Sequence, residues 1–265
     1  MATRTWQRPS KGWWDRPAGR WAIGITIVVY LVIALQAIDI NFARIARGWA
    51  RLFEVGVGTQ TEVVGQKIGE ILRGLGESLA MAVIATPLGI LLAIPIGFGA
   101  AHNVSTKWVY YICRSITVLS RGFHEIVIAI LLVKMVGFGP LAGVLTLAIA
   151  TVGFYGKLFA EAIEESDGSV REAVQASGAG WLQQMVFGII PQVKPRMIGL
   201  GLYRLDINVR ESTVIGVVGA GGIGATLETT FDRYEYVASA VILALIIGLV
   251  FALEAGAGWI RRRYL

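Results

Sequence analysis

Residues 77–101 read ESLAMAVIATPLGILLAIPIGFGAA, with Glu77 the single charged side chain in the stretch. About 20 apolar residues carry an α-helix across the hydrocarbon of a bilayer, so a run of this length without internal charge predicts a crossing. Pro87 and Pro95 each remove a backbone donor, which predicts a bend, and Gly89, Gly97 and Gly99 leave room for a neighbouring helix to approach closely. Working outward, further stretches come near spanning length at residues 21–38, 109–134, 138–160, 197–218 and 236–260. The prediction is an all-α integral membrane protein with six transmembrane helices.

Composition agrees. Of 265 residues, 55% are hydrophobic and 16% charged, against roughly a quarter charged in a soluble domain. A mean hydropathy of +0.64 would leave a soluble fold with large exposed apolar patches. One cysteine, Cys113, rules out an internal disulfide framework and a cysteine-built metal site, and two histidines argue against a zinc enzyme. The net charge of +6 does not imply a nucleic-acid partner, because the basic residues cluster at the ends of the apolar runs.

The first 20 residues carry Arg4, Arg8, Lys11, Arg16 and Arg20 interleaved with tryptophans, which reads as a cytoplasmic interfacial tail. The run after it is nearly long enough to span and is followed by polar Gln36, Asp39 and Asn41, so it is expected to stay as a helix rather than be cleaved as a signal peptide. Phe42, Ile45, Ala46 and Trp49 fall at helical spacing in the polar region Asn41–Gly76, predicting a helix along the interface. Residues 1–76 therefore form an N-terminal region of tail, first span and interfacial segment, and residues 77–265 the main transmembrane domain. With both termini in the cytoplasm, 13 of the 24 Lys and Arg residues lie inside and seven outside. The bias follows the positive-inside rule, although the first external loop opposes it.

Between the fourth and fifth runs, residues 167–195 read DGSVREAVQASGAGWLQQMVFGIIPQVKP. Ser169 with Glu172 three positions on forms a capping box, and Ala173, Ala176 and Ser177 give the following helix a small-residue face. Gly178 and Gly180 end it; Trp181, Leu182, Met185, Val186 and Ile189 form an apolar stripe on a second helix, which Pro191 and Pro195 should break. A short helix with a small face, held out between two spans, suits a groove on another protein. This loop resembles the EAA loop of ABC importer permeases, with Glu172, Ala173, Gly178 and Pro191 at that motif's spacing. Val174, Gly188 and Ile190 depart from it.

The wider resemblance covers most of residues 75–260. It is to the permease subunits of phosphonate ABC transporters, carried by residues 114–149, 153–167 and 208–224. It implies the type I ABC importer permease fold, a cytoplasmic coupling helix, and a homodimer in a bacterial cytoplasmic membrane. It also implies two cytoplasmic ATP-binding subunits that hold ATP and Mg, an external substrate-binding protein, and a phosphonate-type anion as cargo. On that reading Glu172, Ala173, Gly178, Trp181 and Pro191 couple to the ATPase, and this chain itself performs no catalysis.

Charges inside a span cost at least a few kcal/mol, so they face water or a partner. Arg121, His124 and Glu125 lie three and four apart, which would place them on one helix face, and Arg210 and Glu211 fall in the fifth span. Guanidinium forks bind phosphorus oxyanions in pairs, making Arg121 and Arg210 the first candidates for a translocation path. The same charges could instead pair with one another and hold helices together. Residues 216–236 contain a glycine run, but no strand precedes it and no Lys-Ser or Lys-Thr follows at nucleotide-loop spacing, so it reads as an external turn. In the permeases it resembles, this region meets the binding protein, which nominates Asp232, Arg233 and Tyr234 for docking. An ABC permease for another small solute stays open. A secondary carrier with a His124/Glu125 proton relay is a further alternative, and the EAA spacing argues against it.

Overall fold

The computed structural model describes residues 17–37, 42–43, 46–47 and 61–264, and no strand occurs among them. Residues 1–56 and 57–265 form two compact units. In the first, α1 (Pro17–Ala37) is a helix of 21 residues, long and apolar enough to cross a membrane. The expected interfacial helix lies largely outside the described residues, including Ile45 and Trp49.

The second unit begins with α2 (Thr61–Ala100), a 40-residue helix. At 1.5 Å per residue it is about 60 Å long, twice the hydrocarbon thickness, so the polar segment 61–76 is an extension of the second span and not a separate element. Pro87 and Pro95 lie within this helix without ending it and sit on its exposed side. The buried side is a helical stripe of small residues, Ser78, Ala82, Ala85, Ala93 and Ala100 among them. At Gly89 a Cβ would stand 2.5 Å from the Thr151 Cβ and 2.9 Å from the Ala148 carbonyl, so only glycine permits this approach.

That neighbour is α5 (Pro140–Glu164), the centre of the unit, whose buried residues include Leu147, Thr151, Tyr155, Phe159 and Ile163. It packs against α2, α3 (Lys107–Gly122), α4 (Glu125–Val136) and the long helical run α7 (Trp181–Ala220). One apolar cluster gathers Ala93, Tyr155, Phe159, Met185 and Val193, and a second gathers Met81, Ala129, Leu147 and Ile215.

The expected third span, 109–134, is not one straight helix: α3 and α4 meet at 92°. Phe123 and His124 adopt extended backbone, and the His124 side chain caps α4 by accepting from the Ile126 amide at 3.3 Å. The fifth span is also longer than predicted. Helical structure runs from Trp181 through two π-helical segments, Gln184–Ile189 and Gly216–Ala220, the second of them kinked by non-helical backbone at Val218 and Gly219. Pro191 and Pro195 therefore do not break it: Pro191 falls in the first turn after the π segment, where a missing N–H costs little, and Pro195 lies inside the helix without ending it. Counting each bent pair as one span, the described residues offer up to six crossings.

Gly219, Gly221 and Gly222, all at positive φ, then turn the chain into α8 (Ile223–Asp232), bent 55° from α7. Arg233–Glu235 lead into α9 (Tyr236–Tyr264).

Candidate functional site

Two regions carry the polar chemistry. The first is the loop between α5 and α7. It holds a nine-residue helix, α6 (Gly168–Ala176), closed by Gly178 at φ 85, where a side chain would be strained. The capping residue is Asp167, not Ser169: its carboxylate accepts from the Ser169 amide at 2.9 Å. That N–H, and next the Ser169 hydroxyl, hold the Asp167 carboxyl below its ordinary value.

The helix is fastened on one side only. Arg171 Nη1 donates to the Asn103 carbonyl at 2.6 Å and the Trp181 indole to the Val104 carbonyl at 3.2 Å, both in the turn between α2 and α3. Gln192 bonds the Asp167 amide and carbonyl at 2.9 and 3.2 Å. Glu172, Ala173, Gly178, Pro191 and, by about half, Trp181 remain exposed. Of the predicted apolar stripe only Met185 and Ile189 are buried, while Leu182 and Val186 face outward. The loop thus presents an uncovered helix face from a rigid base.

The second region is a cavity of about 290 Å³ lined by Ser120, Arg121, Phe123, His124, Glu125, Ala150, Phe154 and Arg204. The break between α3 and α4 puts Arg121 on one helix and His124 and Glu125 at the start of the next, so the predicted shared helical face does not exist. The bend nevertheless brings all three to one cavity wall. α5 supplies the floor: a Cβ at Gly153 would meet Ser120 and the Arg121 side chain at 2.6–2.9 Å, so this glycine lets α3 sit against it.

Arg204 of α7, which sequence reasoning passed over in favour of Arg210, is 3% exposed. Its Nε donates to the Thr151 hydroxyl at 3.1 Å and its guanidinium lies 5.3 Å from the Phe154 ring centre. Asn208, one turn on, donates to the same hydroxyl at 3.0 Å and to that of Thr86 at 2.8 Å, tying α2, α5 and α7 through one polar network. Arg204 Nη2 has no hydrogen-bond partner among the described residues; the Glu125 carboxylate stands 3.9 Å away. The signal in the sequence was an arginine in the midst of an apolar run, shared by several others there.

Arg210 lies outside this cavity, exposed and paired with Asp206 at 2.8 Å. Glu211 is half-buried within electrostatic reach of Glu125, Arg204 and His124. Arg121 makes no ion pair among the described residues. Far from the cavity, Asp232, Arg233 and Tyr234 form an exposed turn, anchored beside them by a Lys67–Glu235 ion pair. No group of acidic, cysteine and histidine side chains suited to a metal ion occurs among the described residues.

Residues 85–265 match the model of the family described as binding-protein-dependent transport system inner membrane component. The chain belongs to that family. It is an ABC transporter permease, and its relatives bear this out. A permease protein of Stutzerimonas stutzeri, provisionally named for phosphite transport, is 38% identical over 234 residues, 88% of this chain and 83% of that one. A phosphate-import permease protein of Mycolicibacterium smegmatis is 38% identical over 195 residues, 73% of this chain and 37% of that one. In fold, the permease is similar to the MetNI methionine ABC transporter in an inward-facing conformation. The TM-score is 0.66 at 22% identity, covering 76% of this chain and 98% of that one.

Proposed function

We propose that this permease is the membrane subunit of an ATP-driven importer of phosphorus oxyanions: phosphonates, phosphite or phosphate. The observation that carries the reading is the cavity into which Arg204 and Arg121 bring two guanidinium groups beside the Glu125 carboxylate, in a protein otherwise built of apolar helices. Two relatives named for phosphite and phosphate transport support the same cargo.

In the assembly, two copies pair about a twofold axis with both termini in the cytoplasm. Two separate ATP-binding subunits, which hold ATP and Mg, grip the exposed face of α6 at Glu172 and Ala173, with Gly178, Trp181 and Pro191 framing it. Closure of those subunits moves α6, and through the Arg171 and Trp181 contacts also the turn that starts α3. The result is a rigid-body change of access, with no covalent chemistry on this chain. An external binding protein docks on the turn carrying Asp232, Arg233 and Tyr234 and delivers the anion. Arg121, His124, Glu125 and Arg204 line its path at the cavity, with Glu211 within electrostatic reach, while Arg210, first nominated for the path, stays paired with Asp206 outside the cavity. Retention inside must be weak, since a tightly held anion would not leave.

The test is reconstitution into vesicles with a partner ATPase and a binding protein, followed by uptake of labelled methylphosphonate, phosphite and phosphate. ATP-dependent accumulation of at least one is expected. Accumulation of methionine but of none of these would overturn the substrate assignment, and uptake without any ATPase subunit would overturn the mechanism.

A further inference from the structure

Burying a guanidinium with an unfilled N–H costs free energy that a structural ion pair normally offsets with short, paired contacts. Arg204 lacks them. Thr151 and the Phe154 ring fix two sides of its side chain, while Nη2, itself buried, is left without a hydrogen bond among the described residues. Glu125 Oε1, at 3.9 Å, is close enough to neutralise the charge and too far to hydrogen-bond it. The residues that line the cavity come from the end of α3, the bend, α4, α5 and α7.

We infer that this cavity of the permease is an anion station, in which Arg204 takes an oxygen of the passing oxyanion and Glu125 is the built-in competitor that reclaims the guanidinium when the anion leaves. This rests on the reading of the cargo as an oxyanion. Arg121 and His124, at the exposed rim, supply further donors as the anion enters. Glu125 adjoins the bend between α3 and α4, so any change in that angle moves the carboxylate relative to Arg204 on α7 and shifts the competition. The carboxylate lowers the affinity of the station and so keeps it from becoming a trap.

The permease–ATPase complex in lipid nanodiscs, without binding protein, gives the direct test through binding of labelled methylphosphonate, phosphite and phosphate. Glu125→Gln keeps the shape and removes the competing charge; affinity is expected to rise about tenfold, because one negative charge no longer repels the anion or screens the guanidinium. In vesicles with saturating binding protein, the same variant is expected to slow uptake while binding-protein stimulation of ATP hydrolysis persists. Arg204→Met is expected to abolish both binding and uptake, with assembly checked by size-exclusion chromatography. Since Glu125 is three-quarters buried and outside the Thr151 network, its variant stands even where Arg204→Met fails to assemble. Unchanged affinity in Glu125→Gln overturns the station while leaving the oxyanion reading intact. A wild-type complex that moves another solute and none of these three anions overturns both.

Discussion

Arg204 and Asn208, one turn apart on α7, share a single acceptor, the hydroxyl of Thr151 on α5. That hydroxyl also donates to the Leu147 carbonyl at 2.6 Å, so its bonding capacity is full. Replacing Thr151 with Val preserves volume and leaves two buried donors short of a partner. Each such loss costs about 1–3 kcal/mol. Thermal unfolding in detergent should show Thr151→Val clearly destabilised and Thr151→Ser close to wild type; equal midpoints would mean that the network does not hold the three helices.

The contact of α2 with α5 at Gly89 makes a steric prediction. Gly89→Val drives a branched side chain into Thr151 and the Ala148 carbonyl, and overpacking of this kind costs about 1–3 kcal/mol. On the same helix Gly76 has open space around it, and Gly76→Ala should be neutral or stabilising by up to about 1 kcal/mol through helix propensity. Parallel melting curves decide the matter, and a similar response from both variants would contradict the packing described.

In the loop that carries α6, Glu172→Lys reverses a charge on the uncovered face of the helix and disturbs nothing beneath it. Gly178→Val instead forces a β-branched residue to φ 85, which strains the turn that closes the helix. Both variants are expected to assemble as membrane dimers yet lose substrate uptake and stimulated ATP hydrolysis in vesicles. Normal uptake in Glu172→Lys would remove this face from the ATPase contact.

Asp167 gives a pH dependence whose sign follows from its bonds. Its carboxyl is held below the ordinary value by the Ser169 N–H, so the cap is fully formed at neutral pH and weakens only as the medium is acidified through that lowered value. Amide hydrogen exchange in the first turn of α6 should therefore be flat from neutral to mildly acidic conditions once intrinsic chemistry is removed. Asp167→Asn, which can still accept from the Ser169 amide, should retain protection, whereas Asp167→Ala should lose it at every pH.

Much of the architecture lay on the surface of the sequence. The apolar runs located the spans, because a bilayer demands length and freedom from charge and little else. The glycine at 178 and the capping pair Ser169 and Glu172 marked α6, although Asp167 took the cap from Ser169; both residue types fit that role and only geometry chooses. The run 61–76 looked interfacial because it is polar, when it is the part of a long helix that extends beyond the apolar stretch.

The site was less legible. Alone, the sequence settled that several ionisable residues sit in apolar spans, since hydropathy is a property of single residues and their near neighbours. It could not rank Arg204 above Arg210, because the two differ in what surrounds them: Thr151, Phe154 and Glu125 in one case, Asp206 and open space in the other. Tertiary structure alone decided this, through the bend after Gly122 that swings Glu125 and His124 away from the axis of α3 and towards α7. The register of one helix against another sets which side chains meet, and it is fixed by close packing between segments far apart in the chain.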